Sequence, residues 1–158
     1  MKINNCSYLV LGVWLLCGST HAAQLAVGDI VPAFSAKDQF GNDFNFTNGV
    51  HYLLIATEMA CGKSANHKLA EQGAGFLEKN QAEYVLDIHS MPAIARFFAL
   101  PKMRKYPQRI ALVETAETLA AIPAQPNRVT VLALTLSGHV QKISYWDPNQ
   151  EAIAEYVP

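Results

Sequence analysis

Two short apolar runs constrain this chain more than any other feature. Tyr52 to Thr57 reads Tyr-Leu-Leu-Ile-Ala-Thr, and Glu83 to His89 reads Glu-Tyr-Val-Leu-Asp-Ile-His. Continuous apolar runs of this length suit strands covered on both faces, the pattern of a parallel sheet. Between them, Ala65, Leu69, Gly73, Phe76 and Leu77 recur at helical spacing, so the pattern predicts one helix from about Gly62 to Lys79. A strand, a helix and a second buried strand make a crossover unit, which closes right-handed.

The flanks extend this unit. Phe34, Asp38, Gly41, Phe44 and Phe46 mark two strands joined at Gln39-Phe40-Gly41-Asn42. Ser90 and Pro92 open a helix expected over Met91 to Leu100, with Pro101 closing it. Arg109 to Val113 reads as a third core strand, and Pro123 and Pro126 break up residues 114–127. Val129 to Leu134 and Val140 to Trp146 flank Thr135-Leu136-Ser137-Gly138 as an antiparallel hairpin, and a short helix is expected over Asn149 to Tyr156. No repeat or linker interrupts residues 23–158. The fold class is α/β, a mixed central sheet between helical layers with an N-terminal hairpin extension.

Residues 1–22 have the pattern of an export signal. Lys2 starts it, Tyr8 to Cys17 is apolar, and Thr20-His21-Ala22 places small residues before the expected cut. The apolar run is shorter than the about 20 residues a membrane span needs, although a retained anchor is the alternative. Bulky Leu16 before Cys17 argues against a lipid anchor. The expected location is the periplasm. Cleavage removes Cys6 and Cys17, leaving Cys61 alone and no internal disulfide. The remaining chain carries eleven basic and thirteen acidic residues, a net charge of −2. Nothing in that balance points to a nucleic-acid partner. At 51% hydrophobic and 16% charged, the whole chain has the composition of one that buries a core.

Val27-Gly28-Asp29, Pro32, Phe34, Asp38, Gly41 and Phe44, followed by Ala56-Thr57-Glu58-Met59-Ala60-Cys61-Gly62-Lys63-Ser64, resemble the thioredoxin-like superfamily in its exported peroxiredoxin and thioredoxin-like branch. The resemblance covers nearly all of residues 23–158 and implies a thioredoxin-like three-layer sandwich. Ala99-Leu100-Pro101-Lys102-Met103-Arg104 also resembles small exported proteobacterial proteins that often carry a flavin-dehydrogenase label. No Gly-rich dinucleotide fingerprint follows any predicted strand, and no cofactor is expected.

The resemblance places Cys61 at the opening of the helix, where it implies monothiol redox chemistry, either thiol–disulfide exchange with a periplasmic protein partner or peroxide reduction. Unpaired N–H groups and the helix dipole there favour thiolate. Lys63 adds a cation, Ser64 stands one turn along in a Cys-x-x-Ser motif, and Arg128 resembles the arginine of the peroxiredoxin pattern. With no second cysteine, the accessible products are a mixed disulfide or a sulfenic acid. The pattern has gaps. Thr57 lies four residues before Cys61, one place from the peroxidatic threonine, and Asn127-Arg128 stands where a proline usually precedes the final hairpin.

Two other readings stay open. Cys61 serves equally as a buried apolar residue of a non-catalytic binding or adaptor protein. A copper site is the third, with Cys61 and His89 near one sheet edge and Met59 and Met91 beside them, since Cu(I) favours soft sulfur and imidazole. Lys102, Arg104, Lys105 and Arg109 form a basic stretch that reads as a solvated loop or a dock for an acidic partner, and His67 is expected on another face of its helix from Cys61. Asp87, inside an apolar strand, needs a partner if it stays ionised.

Overall fold

The computed structural model describes residues 23–158, so the expected export signal lies outside the described residues. Seven strands form one mixed sheet: β1 (Phe34–Asp38), β2 (Asp43–Phe46), β3 (Tyr52–Ala56), β4 (Ala82–Asp87), β5 (Ala111–Val113), β6 (Val129–Leu134) and β7 (Val140–Trp146). Their order is β2-β1-β5-β4-β3-β6-β7. The central β3, β4 and β5 run parallel. The β1–β2 hairpin joins antiparallel beside β5, and the β6–β7 hairpin does so beside β3.

Period-two alternation along β3 sends its side chains to both faces. On one face Leu54 and Ala56, with Tyr84 and Leu86 of β4, pack against Cys61, Ala65 and Leu69 of α1 (Met59–Glu71) and Leu77 of α2 (Phe76–Lys79). Met103, at the end of α3 (Ala93–Met103), joins that cluster. On the other face Leu53, Ile55 and Val85 meet Leu25, Val31 and Leu119 of α4 (Ala116–Leu119). The sheet is therefore the middle of three layers, as expected.

Three expected helices differ in the structure. The single helix over 62–79 begins earlier, at Met59, and breaks after Glu71, where Gly73 takes φ +91° and turns the chain into the separate α2. The helix expected to stop near Pro101 continues through it to Met103. Proline removes only the bond to the Phe97 carbonyl, and Phe97 is exposed, while the next turn closes normally through Arg104 N–H to Leu100 O at 3.0 Å. The final helix shrinks to a 3-10 turn over Ile153–Glu155. No helix among the described residues is long and apolar enough to cross a membrane.

The β1–β2 turn ties the sheet to the helical layer. Asp38 Oδ1 accepts the N–H groups of Phe40 and Asn42, both at 2.9 Å, which folds Gln39 inward. Buried Gln39 donates from Nε2 to Gln108 O at 2.8 Å, and its Oε1 accepts Ile110 N–H at 2.8 Å. Gln108 in turn donates to Asn66 O on α1 at 3.0 Å, and Arg104 donates to Gln39 O at 2.9 Å. This relay continues the short β1–β5 ladder with side chains.

Candidate functional site

Cys61 is the third residue of α1, because the helix starts at Met59 behind an extended N-cap at Glu58 (φ −120°, ψ 141°). The position opening the helix, which the resemblance gives to the first cysteine, is thus held by Glu58. Cys61 is 1% exposed. Its Sγ lies 3.2 Å from Glu58 O and 3.7 Å from Arg128 O, and these carbonyls are its hydrogen-bond partners among the described residues. Carbonyl oxygens accept from a thiol and repel a thiolate. Burial pushes the Cys61 thiol above its ordinary value; backbone hydrogen bonding offsets part of this, while the Glu58 carboxylate raises it further.

The side chains expected to tune the sulfur point elsewhere. The Arg128 guanidinium donates to Tyr145 O at 3.0 Å and reaches Glu151 Oε1 at 3.5 Å, leaving only its backbone carbonyl beside Cys61. Lys63 is exposed and lines a cavity, and half-buried Ser64 makes no hydrogen bond to the sulfur. Every described peptide bond is trans, including those around Arg128, and Asn127 takes φ +58° while its N–H donates to Glu58 Oε2 at 3.1 Å.

The copper candidates His89, Met91 and Met59 have these surroundings. His89 Nδ1 lies 2.7 Å from Asp87 Oδ1, which also accepts the His89 N–H at 2.9 Å. This gives buried Asp87 the partner its strand position required. Met91 is buried and Met59 lines the cavity. Among the described residues no three His, Cys, Asp or Glu side chains group as a metal site.

The cavity, about 800 Å³, lies between α1 and α3. Leu86 and Met103 form its buried apolar floor with buried Asn66 beside them, and Ala95, Phe98 and Ala99 of α3 form one wall. With Lys102 and Met103, these α3 positions follow the spacing i, i+3, i+4, i+7, i+8 of a single helical face. Lys63, Lys102 and Lys105 are exposed cavity residues. His67, expected on another face, lines the cavity too, edge-on to Tyr106 at 5.4 Å between ring centroids. From the basic stretch, Arg109 turns away to donate to Asp43 O at 2.8 Å and to cover the Phe44 ring. The cavity was missed in the sequence. Its one readable signal was the regular apolar spacing across α3.

Solved structures share this architecture. The thioredoxin domain of a thiol-disulfide oxidoreductase from Bacteroides vulgatus matches with a TM-score of 0.55 at 14% identity, over 85% of this chain and 100% of that one. A peroxiredoxin-like protein from Aquifex aeolicus matches with a TM-score of 0.56 at 14% identity, over 87% and 86%. A thio-disulfide isomerase from Thermus thermophilus matches with a TM-score of 0.51 at 16% identity, over 77% and 87%. No family model and no curated protein matches the sequence. The chain has the thioredoxin-like fold, with thiol-disulfide oxidoreductase and peroxiredoxin-like structures among its neighbours.

Proposed function

We propose that this is an exported thioredoxin-fold binding protein that works through the cavity between α1 and α3, with Cys61 as a protonated packing residue. The contrast between two adjacent places carries the reading. The Cys61 sulfur is covered and faces two carbonyls, whereas the neighbouring cavity is open, with a buried apolar floor and exposed lysines. The leader pattern of residues 1–22 supports export and a periplasmic location.

A second reading is monothiol chemistry at Cys61, favoured by its place in the first turn of α1 and by the names of the structural neighbours. In it, the Cys61 thiolate attacks a periplasmic partner's disulfide, forming a mixed disulfide and releasing the partner's other sulfur as a thiolate. Alkylation by iodoacetamide across pH separates the two. The binding reading expects a midpoint above about 8.5, the free-thiol value. A midpoint below about 7, in the range of activated thiols, replaces it with the second reading.

A further inference from the structure

The charges around the cavity define what it can hold. Its volume, about 800 Å³, falls within the range of about 300–1,000 Å³ typical of small-molecule sites. Lys63, Lys102 and Lys105 line it, no acidic side chain does, and none of the three forms an ion pair among the described residues. Exposed cationic groups over an apolar floor suit a molecule with an anionic head and an apolar tail. Lysine stems add apolar surface to such a lining while their heads stay solvated.

Asn66 adds a further demand. It is 3% exposed, lines the cavity, and its Oδ1 has no hydrogen-bond partner among the described residues. A buried carbonyl oxygen left without a donor is costly, and an occupant that supplies an O–H satisfies it once the Asn66 amide turns Oδ1 toward the cavity. Asn66 lies three residues after Lys63 on α1, and such positions are neighbours on one helix face, about 5–6 Å apart at Cβ. Asn66 and Lys63 therefore lie on one stretch of the cavity lining, where a single occupant can meet both.

We infer that the α1–α3 cavity binds a single-chain amphipathic anion carrying a hydroxyl next to its head, the chemistry of a 3-hydroxy fatty acid. This inference rests on the reading of the cavity as the working site. The test is calorimetric titration of the purified protein, below micelle-forming concentrations, with 3-hydroxydodecanoate, dodecanoate and dodecyltrimethylammonium. The hydroxy acid should bind saturably at one site and tightest. The cation, with the same tail length, should bind at least about tenfold more weakly, as expected when paired surface charges become like charges.

Combined K63Q, K102Q and K105Q should erase the preference for acid over cation, and N66L the preference for the hydroxy acid over dodecanoate. Ala99→Trp, which fills the cavity, should abolish binding. Thermal melting of each variant shows whether it is folded; if Ala99→Trp is not, the lysine and Asn66 variants still decide. Equal binding of the two acids, equal binding of acid and cation, or no saturable binding overturns the inference. Such a result with an inert thiol leaves the binding reading standing, whereas an activated thiol removes that reading whatever the acids do.

Discussion

Helices α1 and α3 contribute to the same face of the sheet, but they are seated differently. α1 buries Cys61, Gly62, Ala65, Asn66 and Leu69, while the more apolar α3 buries only Met103 and exposes Ile94, Phe97 and Phe98. Small residues let the α1 backbone come close to β4, where Tyr84 OH donates to Gly62 O at 3.3 Å. α3 is also held by polar anchors. Arg96 donates to the carbonyls of Met91 and Ile88, each at 2.9 Å, and pairs with Glu114 at 3.1 Å. Burial here follows how near a helix stands to the sheet, not how apolar the helix is. The close seat produces a sealed thiol, and the distant one leaves a cavity.

The largest test of this comparison concerns cysteine pairing, which is all or none. The N-cap side chain can fold over the first turn, so Glu58→Cys should form a disulfide with Cys61 on air oxidation. Ser64→Cys should not, because both positions lie within α1. Neighbouring helix positions keep Cβ atoms about 5–6 Å apart, beyond the about 3.5–4.5 Å a disulfide needs. Mass spectrometry after alkylation distinguishes the outcomes, and a disulfide in the Ser64 variant would return Cys61 to the helix opening.

Next is overpacking. A Cβ at Gly62 would run into the Leu86 side chain, so Gly62→Val should destabilise the protein by about 3 kcal/mol. Ala99→Leu, which grows into the cavity, should stay within about 1 kcal/mol of the wild type. Urea denaturation measures both, and equal costs would mean that α3 is as tightly seated as α1. Arg96→Ala follows at about 2 kcal/mol, since it removes charge-assisted bonds to backbone carbonyls. Hydrogen exchange should then show α3 opening ahead of α1.

The smallest effect is a pH slope. The folded Cys61 thiol holds its proton more tightly than the unfolded one, so its contribution is complete below the unfolded value of about 8.5. It is lost as pH rises from there toward the higher folded value. Stability should therefore fall in alkaline solution, and Cys61→Ala should flatten that decline in pH-dependent melts. An unchanged slope would show that the thiol is not selectively protonated by its surroundings.

Much of the fold could be read before any coordinates. The apolar runs Tyr52 to Thr57 and Glu83 to His89 mark the parallel strands β3 and β4, which end at Ala56 and Asp87, and Gly138 lies in the β6–β7 turn. The start of α1 was hidden because Glu58 is a weak N-cap residue and caps without a side-chain bond to the helix. Pro101 misled because a helix tolerates a missing bond on an exposed turn. At the candidate site, Lys63 stands out in the sequence only by its closeness to Cys61, but the turn of α1 points it toward the cavity. Asn66 gave no signal, since a missing hydrogen-bond partner is a property of packing. The stand-off of α3 is a distance between elements, which periodicity within one element does not encode.

The Gln39 relay has a consequence for the order in which the molecule assembles. Gln39 is made early in synthesis, in the β1–β2 turn, but its side chain bonds to Gln108 and Ile110, 69 and 71 residues later. Gln108 reaches back 42 residues to Asn66. Bonds that close loops this long repay their entropy only after most of the chain is in place. The turn can form by itself through Asp38, but the join between the hairpin, the end of α3 and the floor of the cavity is a late event. Hydrogen-exchange labelling during refolding should show β3 and β4 protected before Ile110. A chain interrupted before Gln108 would carry an unlatched hairpin whose strand edge is free to pair with another copy.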